Sequence, residues 1–391
     1  MASKIQLPTF DFQHPAAAYV HIPFCRAKCF YCDFNSYPGL ESLFDDYTQA
    51  LILEIGAAKP TLANLKSVYF GGGTPTVLPT DALGRILRAL EDRFGLACDA
   101  EITIEANPGT VDAAELADLR RQGFNRLSIG MQSFDDAILA RIGRIHTADE
   151  AREAFALGRA AGFDNIGIDL MYSLPEQSLA DWRRTLASAL DLAPEHISLY
   201  ELTVGEETAF GSLQKRGDLR LPDEDAQVEM YMAAVRTLTS AGYEHYEISN
   251  FALPGRRSRH NQTYWRNEPY FGFGAGASGF AEGVRYTNFR APLDYIESVR
   301  ATGQAVESRE MLAGRRAMGE TIMLGLRMLD GLDLRAFEQR FDISLPEAYP
   351  EELAGLVERG LVELAGTHLR LTPAGLLLAD DASAEFVEEG A

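Results

Sequence analysis

The sequence predicts an α/β protein built from an incomplete (β/α)6 barrel and a smaller, mainly helical domain that follows it. Its 391 residues exceed the usual size of one domain, so a large domain and a smaller one are expected. From Ala17 to about Glu201, short β-rich runs alternate with segments of helical period, a pattern typical of parallel βα units. Six such units also fit an open doubly wound sheet, and the residues that follow each strand favour the barrel.

The predicted elements follow from the period of the apolar residues. Strands are short β-rich runs, and helices have apolar residues three or four positions apart. The strands are expected to end near Ile22, Phe70, Ala106, Gly130, Met171 and Leu202. The helices between them are expected to cover Leu43–Ile55, Ala82–Phe94, Ala113–Arg121, Asp149–Ala161 and Leu179–Leu190.

Each predicted strand is followed by polar or glycine residues at its carboxyl end, the rim on which barrel enzymes build their sites. These residues are a cysteine loop after the first strand, then Gly71–Thr76, Glu105–Pro108, Gly130–Ser133, Asp169–Pro175 and Tyr200–Glu201. Taken singly, each has an ordinary explanation, because a glycine run can be a tight turn and a carboxylate can be solvated or ion-paired. Six in succession predict one shared pocket.

Three of the four cysteines, Cys25, Cys29 and Cys32, lie in one loop. The spacing Cys-x3-Cys-x2-Cys brings three thiolates around one point, where they can bind a four-iron, four-sulfur cluster and leave one iron without a protein ligand. Zinc is the alternative, although a structural zinc site normally has a fourth ligand. The candidates for that ligand are His21, Asp33 and Cys98. A disulfide fits less well, because three is odd and no secretory signal is present.

The composition limits the partners. The formal net charge is −21, from 57 acidic and 36 basic residues, which disfavours a nucleic-acid partner and an anionic membrane surface. The N-terminal residues lack the apolar core of a signal peptide, and no apolar run approaches the length of a transmembrane segment. Cysteines clustered as ligands fit a reducing compartment, so we expect a cytoplasmic protein.

The cysteine loop resembles the signature of the radical S-adenosylmethionine (SAM) superfamily, which has an aromatic residue before the last cysteine, here Tyr31. The resemblance implies that Cys25, Cys29 and Cys32 hold a [4Fe–4S] cluster whose open iron is chelated by SAM. The cofactors then carry the chemistry, and the protein positions them and excludes water.

Further motifs resemble the subfamily of oxygen-independent coproporphyrinogen III oxidases and related heme chaperones (HemN/HemW). They are Tyr-Val-His-Ile-Pro-Phe-Cys from Tyr19, Gly-Gly-Gly-Thr-Pro-Thr from Gly71, Gly-Met-Gln-Ser-Phe from Gly130 and Gly-Ile-Asp-Leu-Met-Tyr-Ser-Leu-Pro from Gly167. The resemblance implies that the cluster-bound SAM contacts Tyr19, Tyr31, Gly72, Gly73, Thr74 and Glu105. It places Gln132, Arg144 and Asp169 in a neighbouring pocket, where the oxidase type holds a second SAM.

Two departures from the oxidase type favour the chaperone type. Phe34 stands where the oxidase type has a fourth cysteine, and only 18 residues precede Tyr19, where the oxidase type has a longer arm. The run His-Asn-Gln-Thr-Tyr-Trp from His260 matches a motif associated with heme binding in the chaperone branch, which implies that His260 contacts heme. Without the resemblance, a histidine beside aromatic residues is more often a satisfied structural one.

The C-terminal region resembles a winged-helix domain. Helices are predicted over Met311–Leu329, Leu334–Phe341 and Pro350–Leu364, followed by a hairpin within Gly366–Gly375. DNA binding is disfavoured because residues 333–391 contain 13 acidic and 4 basic residues, so a packing or docking role is expected. The tail beyond Asp380 is expected to be disordered. The glycine-rich run Phe271–Gly279 is expected to be a tight turn or closely packed backbone rather than a phosphate loop.

The predicted division of the chain is an N-terminal segment, a barrel core, an extension with the His260 motif and a winged-helix-like domain with an acidic tail. Their ranges are 1–15, 16–240, 241–308 and 309–391. The leading hypothesis is a radical-SAM-type heme chaperone that binds heme, passes it to acceptor haemoproteins and takes electrons from a donor. Whether it is an enzyme stays open, and homodimerisation is compatible with the sequence. The alternatives are a coproporphyrinogen III oxidase and, less favoured, radical SAM modification of RNA.

Overall fold

The computed structural model describes residues 17–59 and 64–387. The predicted N-terminal segment, residues 1–15, lies outside the described residues. Two buried hydrophobic clusters account for most of the core within them. The larger is formed by a sheet and the helices that cover it, and the smaller is formed by residues between Ile322 and Phe386.

The strands are β1 Ala17–Ile22, β2 Phe24–Cys25, β3 Tyr37–Pro38, β4 Leu65–Gly72, β5 Leu96–Ala106, β6 Arg126–Gln132, β7 Ile166–Tyr172, β8 His196–Glu201, β9 Glu244–Glu247, β10 Asn250–Ala252, β11 Tyr270–Phe273, β12 Ser278–Ala281, β13 Val284–Asn288, β14 Val306–Met311, β15 Leu332–Asp333, β16 Val362–Ala365 and β17 His368–Leu371. Short 3-10 turns cover Glu41–Leu43 and Pro75–Val77.

The helices are α1 Phe44–Ala57, α2 Thr80–Phe94, α3 Ala113–Arg121, α4 Asp136–Arg141, α5 Ala148–Ala160, α6 Leu179–Leu192, α7 Ala209–Lys215, α8 Glu224–Ser240, α9 Arg259–Trp265, α10 Pro292–Thr302, α11 Gly314–Gly325, α12 Leu334–Phe341, α13 Leu345–Ala348, α14 Pro350–Glu358, α15 Pro373–Leu376 and α16 Ala379–Ala384. None of these helices combines the length and the hydropathy that crossing a membrane requires.

The predicted strands form the middle of a twelve-stranded sheet, in the order β14-β13-β12-β11-β1-β4-β5-β6-β7-β8-β10-β9. Strands β1 and β4 to β8 are neighbours in chain order and pair in parallel, as the βα alternation predicts. Antiparallel strands extend both edges, and the two end strands, β14 and β9, do not pair with each other. The parallel part is therefore an incomplete barrel. Because the strands are parallel, their carboxyl ends lie on one rim.

The glycine-rich run contributes a seventh parallel strand, which the sequence analysis missed. Strand β11 pairs in parallel with β1, with Tyr19 opposite Gly272, and β12 continues the sheet. The prediction of a turn is therefore wrong for these two strands, and it holds only for the residues between them. The prediction of closely packed backbone is confirmed at Gly274, where a Cβ would lie 2.5 Å from the His21 carbonyl oxygen.

Capping boxes fix the start of several barrel helices. The Asp112 side chain accepts hydrogen bonds from the backbone N–H groups of Ala114 and Glu115, and the Glu115 side chain accepts one from the Asp112 N–H at 2.9 Å. The same reciprocal arrangement begins α5 and α6. A cap of this kind stabilises a helix by about 1 kcal/mol, which explains why α3 begins at the predicted residue.

Two helices in the C-terminal domain are shorter than predicted. The helix predicted over Pro350–Leu364 ends at Glu358, because Gly360 has a φ of 69° and accommodates the left-handed conformation that ends a helix. Residues 362–365 then form β16, which pairs with β17 in the predicted hairpin, so the hairpin begins before Gly366. The helix predicted over Met311–Leu329 is α11, which covers only Gly314–Gly325, and Met311 itself ends strand β14.

The prediction of a disordered tail beyond Asp380 is wrong over the described residues. Helix α16 covers Ala379–Ala384, and Ala382 and Phe386, four positions apart, are buried in the smaller core. The Phe386 ring meets the Tyr349 ring edge-on, with centroids 5.3 Å apart. Apolar residues with helical spacing therefore outweigh the local acidic charge. Residues 388–391 lie outside the described part of the chain.

The C-terminal domain packs against the sheet through polar contacts. The Arg285 guanidinium on β13 donates two hydrogen bonds of 2.7 Å to the Glu320 carboxylate on α11. Asn267 donates a hydrogen bond of 3.0 Å to the hydroxyl of Thr321, one residue further along the same helix. These contacts anchor α11 to the barrel on the side of the motif that begins at His260.

Candidate cluster and cofactor site

Most of the residues predicted for the site line one cavity of about 400 Å³ at the carboxyl rim of the parallel strands. They are Cys25, Cys29, Tyr31, Cys32, Gly72, Gly73, Thr74, Glu105, Gln132, Arg144 and Asp169. Tyr19 lines an adjoining cavity of about 490 Å³, which shares Gly72 and Glu105 with the first. Of the predicted residues, only His260 lines neither cavity.

The three thiols of the cysteine loop lie close together, and each sulfur has a polar side chain beside it. Burial raises the pKa of the Cys25 thiol, and the neighbouring Cys29 and Cys32 add to this effect. Thiolates held this close repel one another unless a cationic centre binds them. The sulfur contacts are Cys25 Sγ–Thr74 Oγ1 at 3.5 Å, Arg144 Nη1–Cys29 Sγ at 3.5 Å and Cys32 Sγ–Ser36 Oγ at 3.7 Å.

The alternative zinc ligands do not complete a site for a single ion. Cys98 lies near the start of β5, seven residues before Glu105, which is roughly 23 Å along an extended strand. Both ring nitrogens of His21 are already hydrogen-bonded. Across residues 17–59 and 64–387, no three His, Cys, Asp or Glu side chains converge on one metal ion. The three thiols therefore have no converged fourth ligand for a zinc ion among the described residues, whereas a [4Fe–4S] cluster needs only three protein thiolates and leaves one iron open.

The glycines that end β4 allow close approach of the backbone to the cysteine loop. A Cβ on Gly73 would lie 2.5 Å from the Phe24 carbonyl oxygen and 3.0 Å from Cys25 Sγ. Gly72 has a φ of 114°, and a Cβ there would lie 2.6 Å from the His21 ring. Larger side chains would fill the space beside the thiols, so the run does more than form a tight turn.

Two carboxylates give the cavity wall a negative charge. Glu105 accepts a hydrogen bond of 2.7 Å from the Tyr69 hydroxyl and one of 3.1 Å from the Gly72 N–H. Burial, and to a smaller extent the nearby Asp169, raise the pKa of Glu105 to about 7, although these two hydrogen bonds favour its ionised form. Burial also raises the pKa of Asp169, whose carboxylate accepts from the Ser128 hydroxyl at 3.4 Å. Such a pair suits a cationic ligand such as a sulfonium.

Gln132 and Arg144 carry unsatisfied hydrogen-bonding atoms beside the same cavity. Gln132 has a φ of 65° at an irregularity in the pairing of β6 with β7. Its Oε1 and the Arg144 Nε are buried and have no hydrogen-bond partner among the described residues. An unsatisfied buried polar atom costs about 1–3 kcal/mol, so a ligand or ordered water that bonded to either atom would stabilise the site.

His260 is enclosed below the cavity, and its side chain is 1% exposed. Its Nδ1 lies 3.1 Å from the Ser67 hydroxyl, its Nε2 lies 2.8 Å from the Tyr264 hydroxyl, and its ring stacks on Tyr69. Glu101 caps the helix that carries it, by accepting from the His260 N–H at 3.1 Å. Burial lowers the pKa of His260 to about 3, so the imidazole is neutral. The geometry is that of a satisfied structural histidine, and a heme ligand would require one of these bonds to break.

Several residues that complete the site were not assigned from the sequence. Ser36 contacts Cys32, Tyr69 binds Glu105, and the Asn107 amide lies between two predicted site residues. Asn107 stands directly after β5, so its strand-end position was the available signal. Ser36 lies outside the cysteine spacing, and only the folded loop brings its hydroxyl to the sulfur.

Comparison with known proteins defines the class first. The model of the radical SAM superfamily matches residues 19–189, which contain the cysteine loop and the first five strand ends. A second model, the HemN C-terminal domain, matches residues 312–378. The fold and the cavity thus define a radical SAM protein with the C-terminal domain of HemN.

Whole-chain relatives define the family within that class. A heme chaperone HemW from Lactococcus lactis is 37% identical over 375 residues, which are 96% of this chain and 98% of the relative. A heme chaperone HemW from Escherichia coli is 40% identical over 324 residues, covering 81% and 83%. The structure of coproporphyrinogen III oxidase (HemN) from Escherichia coli matches with a TM-score of 0.84, 26% identity and coverage of 96% and 90%. The chain belongs to the HemW family of radical SAM proteins.

Proposed function

We propose that this chain is a heme chaperone that binds a [4Fe–4S] cluster, SAM and heme and passes heme to acceptor haemoproteins. The observation that carries the proposal is the similarity over 96% of the chain to a protein named as a heme chaperone. Phe34 supports it, because the resemblance to the oxidase type puts its fourth cysteine at this position, where this chain has an exposed aromatic ring at the cavity.

In this proposal, Cys25, Cys29 and Cys32 hold the cluster and the surrounding wall binds SAM. The cluster supplies an electron to SAM when both are bound. The residues proposed to contact the cluster-bound SAM are Tyr19, Tyr31, Gly72, Gly73, Thr74 and Glu105, and those proposed for the neighbouring pocket are Gln132, Arg144 and Asp169. The clustered thiols, the carboxylate pair and the unsatisfied polar atoms support these roles.

The surface around Phe34 and Arg290 supports the heme-binding part of the proposal. Both residues line two adjoining cavities, of about 490 and about 400 Å³, next to the cluster cavity. The Phe34 side chain is 65% exposed, and the Arg290 guanidinium forms no ion pair with the described side chains. Heme combines an apolar macrocycle with anionic propionates, which match an exposed aromatic ring and a guanidinium.

Contact between His260 and heme stays a prediction, and it requires the His260 side chain to move. Its ring centroid lies 6.4 Å from that of Tyr19, which lines the cavity beside Phe34 and Arg290. Ligation therefore requires His260 to leave Ser67 or Tyr264 and move past Tyr19. Without that movement, His260 supports the cavity floor and does not touch heme.

A heme titration of the cluster-loaded protein tests the function. Arg290→Gln should weaken heme binding about tenfold, the loss of roughly one charge-assisted bond. Arg309→Gln, which removes an exposed arginine on the sheet edge, is the matched control and should have no effect. His260→Ala is compared with His196→Ala, because His196 is equally buried and is bonded to the Tyr246 hydroxyl. Equal binding by these two variants would remove His260 from the heme site, and wild-type protein that binds no heme would refute the proposal.

A second candidate function is the oxidation of coproporphyrinogen III, which the structural match to HemN over 96% of the chain favours. Incubation of the cluster-loaded protein with coproporphyrinogen, SAM and a reductant tests it. Formation of the decarboxylated porphyrinogen would favour the oxidase. Absence of product together with heme binding would favour the chaperone.

Four further properties of the protein stay predictions. They are an electron donor, a homodimer, a cytoplasmic location and the domain boundaries near residues 240 and 308. Modification of RNA is disfavoured by the net charge of −21, because a strongly acidic protein repels a phosphate backbone in general.

A further inference from the structure

One side chain connects two of the three cysteine sulfurs through hydrogen bonds. The Asn107 amide nitrogen donates to Thr74 Oγ1 at 2.7 Å, and Thr74 Oγ1 lies 3.5 Å from Cys25 Sγ. The Asn107 amide oxygen accepts from Arg144 Nη2 at 2.7 Å, and Arg144 Nη1 donates to Cys29 Sγ at 3.5 Å. A continuous series of contacts thus runs from Cys25 to Cys29, with Asn107 at its centre.

The direction of these bonds follows from the donors that are available. Because Asn107 donates to Thr74 Oγ1, the hydrogen of the Thr74 hydroxyl is free to point at Cys25 Sγ. The Asn107 amide oxygen accepts from Arg144 Nη2, and this bond holds the guanidinium with its Nη1 facing Cys29 Sγ. Both halves of one amide are therefore used, and each half orients a donor toward a different sulfur.

Two observations separate this arrangement from ordinary structural support. The turn after β5 uses the Asn107 carbonyl oxygen, which accepts from the Thr110 N–H at 3.1 Å and from its hydroxyl at 2.6 Å, so the turn does not need the side chain. A Cβ on Gly130 would lie 2.8 Å from Asn107 Oδ1 and 3.5 Å from Arg144 Nη2. The glycine therefore leaves the space that the bond between the amide and the guanidinium occupies.

We propose that Asn107 is a positioning residue that directs the Thr74 hydroxyl and the Arg144 guanidinium at the cluster ligands Cys25 and Cys29. Hydrogen bonds to the sulfurs stabilise the added negative charge of a reduced cluster, so this network sets its reduction potential. The inference rests on the proposed cluster, and it does not depend on heme transfer or on turnover of SAM.

A double-mutant cycle on the anaerobically reconstituted protein tests the role of Asn107. Thr74→Val removes the hydroxyl at nearly constant volume. Asn107→Asp keeps the acceptor for Arg144 but replaces the donor, so the Thr74 hydroxyl would turn to the carboxylate instead of Cys25. The measured quantity is the midpoint potential of the cluster, from redox titration followed by electron paramagnetic resonance.

We expect the effect of Thr74→Val on the midpoint potential to depend on Asn107. In the wild-type background, Thr74→Val should shift the reduction equilibrium about tenfold toward the oxidised cluster, which is about 59 mV for a one-electron couple. In the Asn107→Asp background, the same substitution should shift it by less than about threefold. A tenfold shift in both backgrounds would overturn the proposal, and so would a shift below threefold in the wild type.

A matched amide distinguishes positioning from a general effect of the substitution. Asn125 is bonded at both ends, to the Ile102 N–H and the Ala100 carbonyl in the middle of β5, and it does not line the cluster cavity. Thr74→Val should retain its tenfold effect in an Asn125→Asp background, and loss of the effect there would also overturn the inference. Iron content is measured first, because a wild-type protein without a cluster contradicts the proposed function, whereas a loaded cluster with additive shifts contradicts only this inference.

Discussion

The ionisation of Glu105 is expected to make SAM binding depend on pH. Burial raises its pKa to about 7, well above the ordinary value of about 4.3 for a glutamate. A cationic ligand favours the carboxylate, so binding lowers this pKa and releases a proton when the pH is below about 7. The contribution of Glu105 to the SAM affinity is therefore present above pH 7 and is lost as the pH falls through that value.

The magnitude follows from the ionised fraction. With a pKa of about 7, this fraction falls from about 0.9 at pH 8 to about 0.1 at pH 6, so the contribution of Glu105 to the affinity falls about tenfold. Glu105→Gln keeps the shape and an acceptor for the Tyr69 hydroxyl but removes the charge. The variant should bind SAM more weakly at pH 8, and should differ much less from the wild type at pH 6.

Equilibrium dialysis of SAM against cluster-loaded protein between pH 6 and pH 8 measures this effect. The amino group of SAM titrates at similar pH, about 7.7 to 8.0 for an α-amino group, so the informative quantity is the ratio of wild-type to Glu105→Gln affinity. S-adenosylhomocysteine lacks the sulfonium charge and is the matched ligand, for which the ratio should be smaller. Asp169→Asn shows whether the second carboxylate contributes. A ratio for SAM that does not change with pH would refute the reasoning.

Two further predictions concern the glycine strand and a helix cap. Gly73→Ala should reduce iron uptake, because its Cβ would lie 2.5 Å from a backbone oxygen and 3.0 Å from Cys25 Sγ. Gly56→Ala on α1 is the control, because its Cβ would meet no atom within 4 Å, and this variant should load iron normally. Equal iron content in the two variants would contradict the close-approach interpretation. Asp112→Ala should lower the free energy of unfolding, measured by urea denaturation, by about 1 kcal/mol. Asp92→Ala, which changes an exposed residue, is the control and should leave it unchanged. Equal losses in the two variants would contradict the capping role.

The sequence predicted the barrel well because its signals are local. Strand and helix periods, the capping box at Asp112 and the polar residues after each strand all lie within short windows, and the parallel topology then brings the strand ends together. The cysteine spacing and the glycine run predicted the cavity in the same way. Local patterns were enough to predict the bounds of some elements: α3 covers its predicted range, and β5 ends at Ala106 as predicted.

The errors share a dependence on long-range packing. Strand β11 is read as a loop from its glycines, and only pairing with β1 makes it a strand. The acidic tail folds because Phe386 reaches a core formed by residues far away in the sequence. The enclosure of His260 depends on Glu101 and Ser67, which lie on different strands. No local pattern predicts such partners.

The most direct test of the account is the metal content of the protein after anaerobic reconstitution with iron and sulfide. The wild type and Cys98→Ser, which changes the exposed cysteine distant from the loop, should each bind about four irons per chain and turn brown. A variant with Cys25, Cys29 and Cys32 replaced by serine should bind none. A wild-type protein that stays colourless, or that takes up a single zinc ion, would contradict the cluster and with it the assigned roles of the surrounding residues.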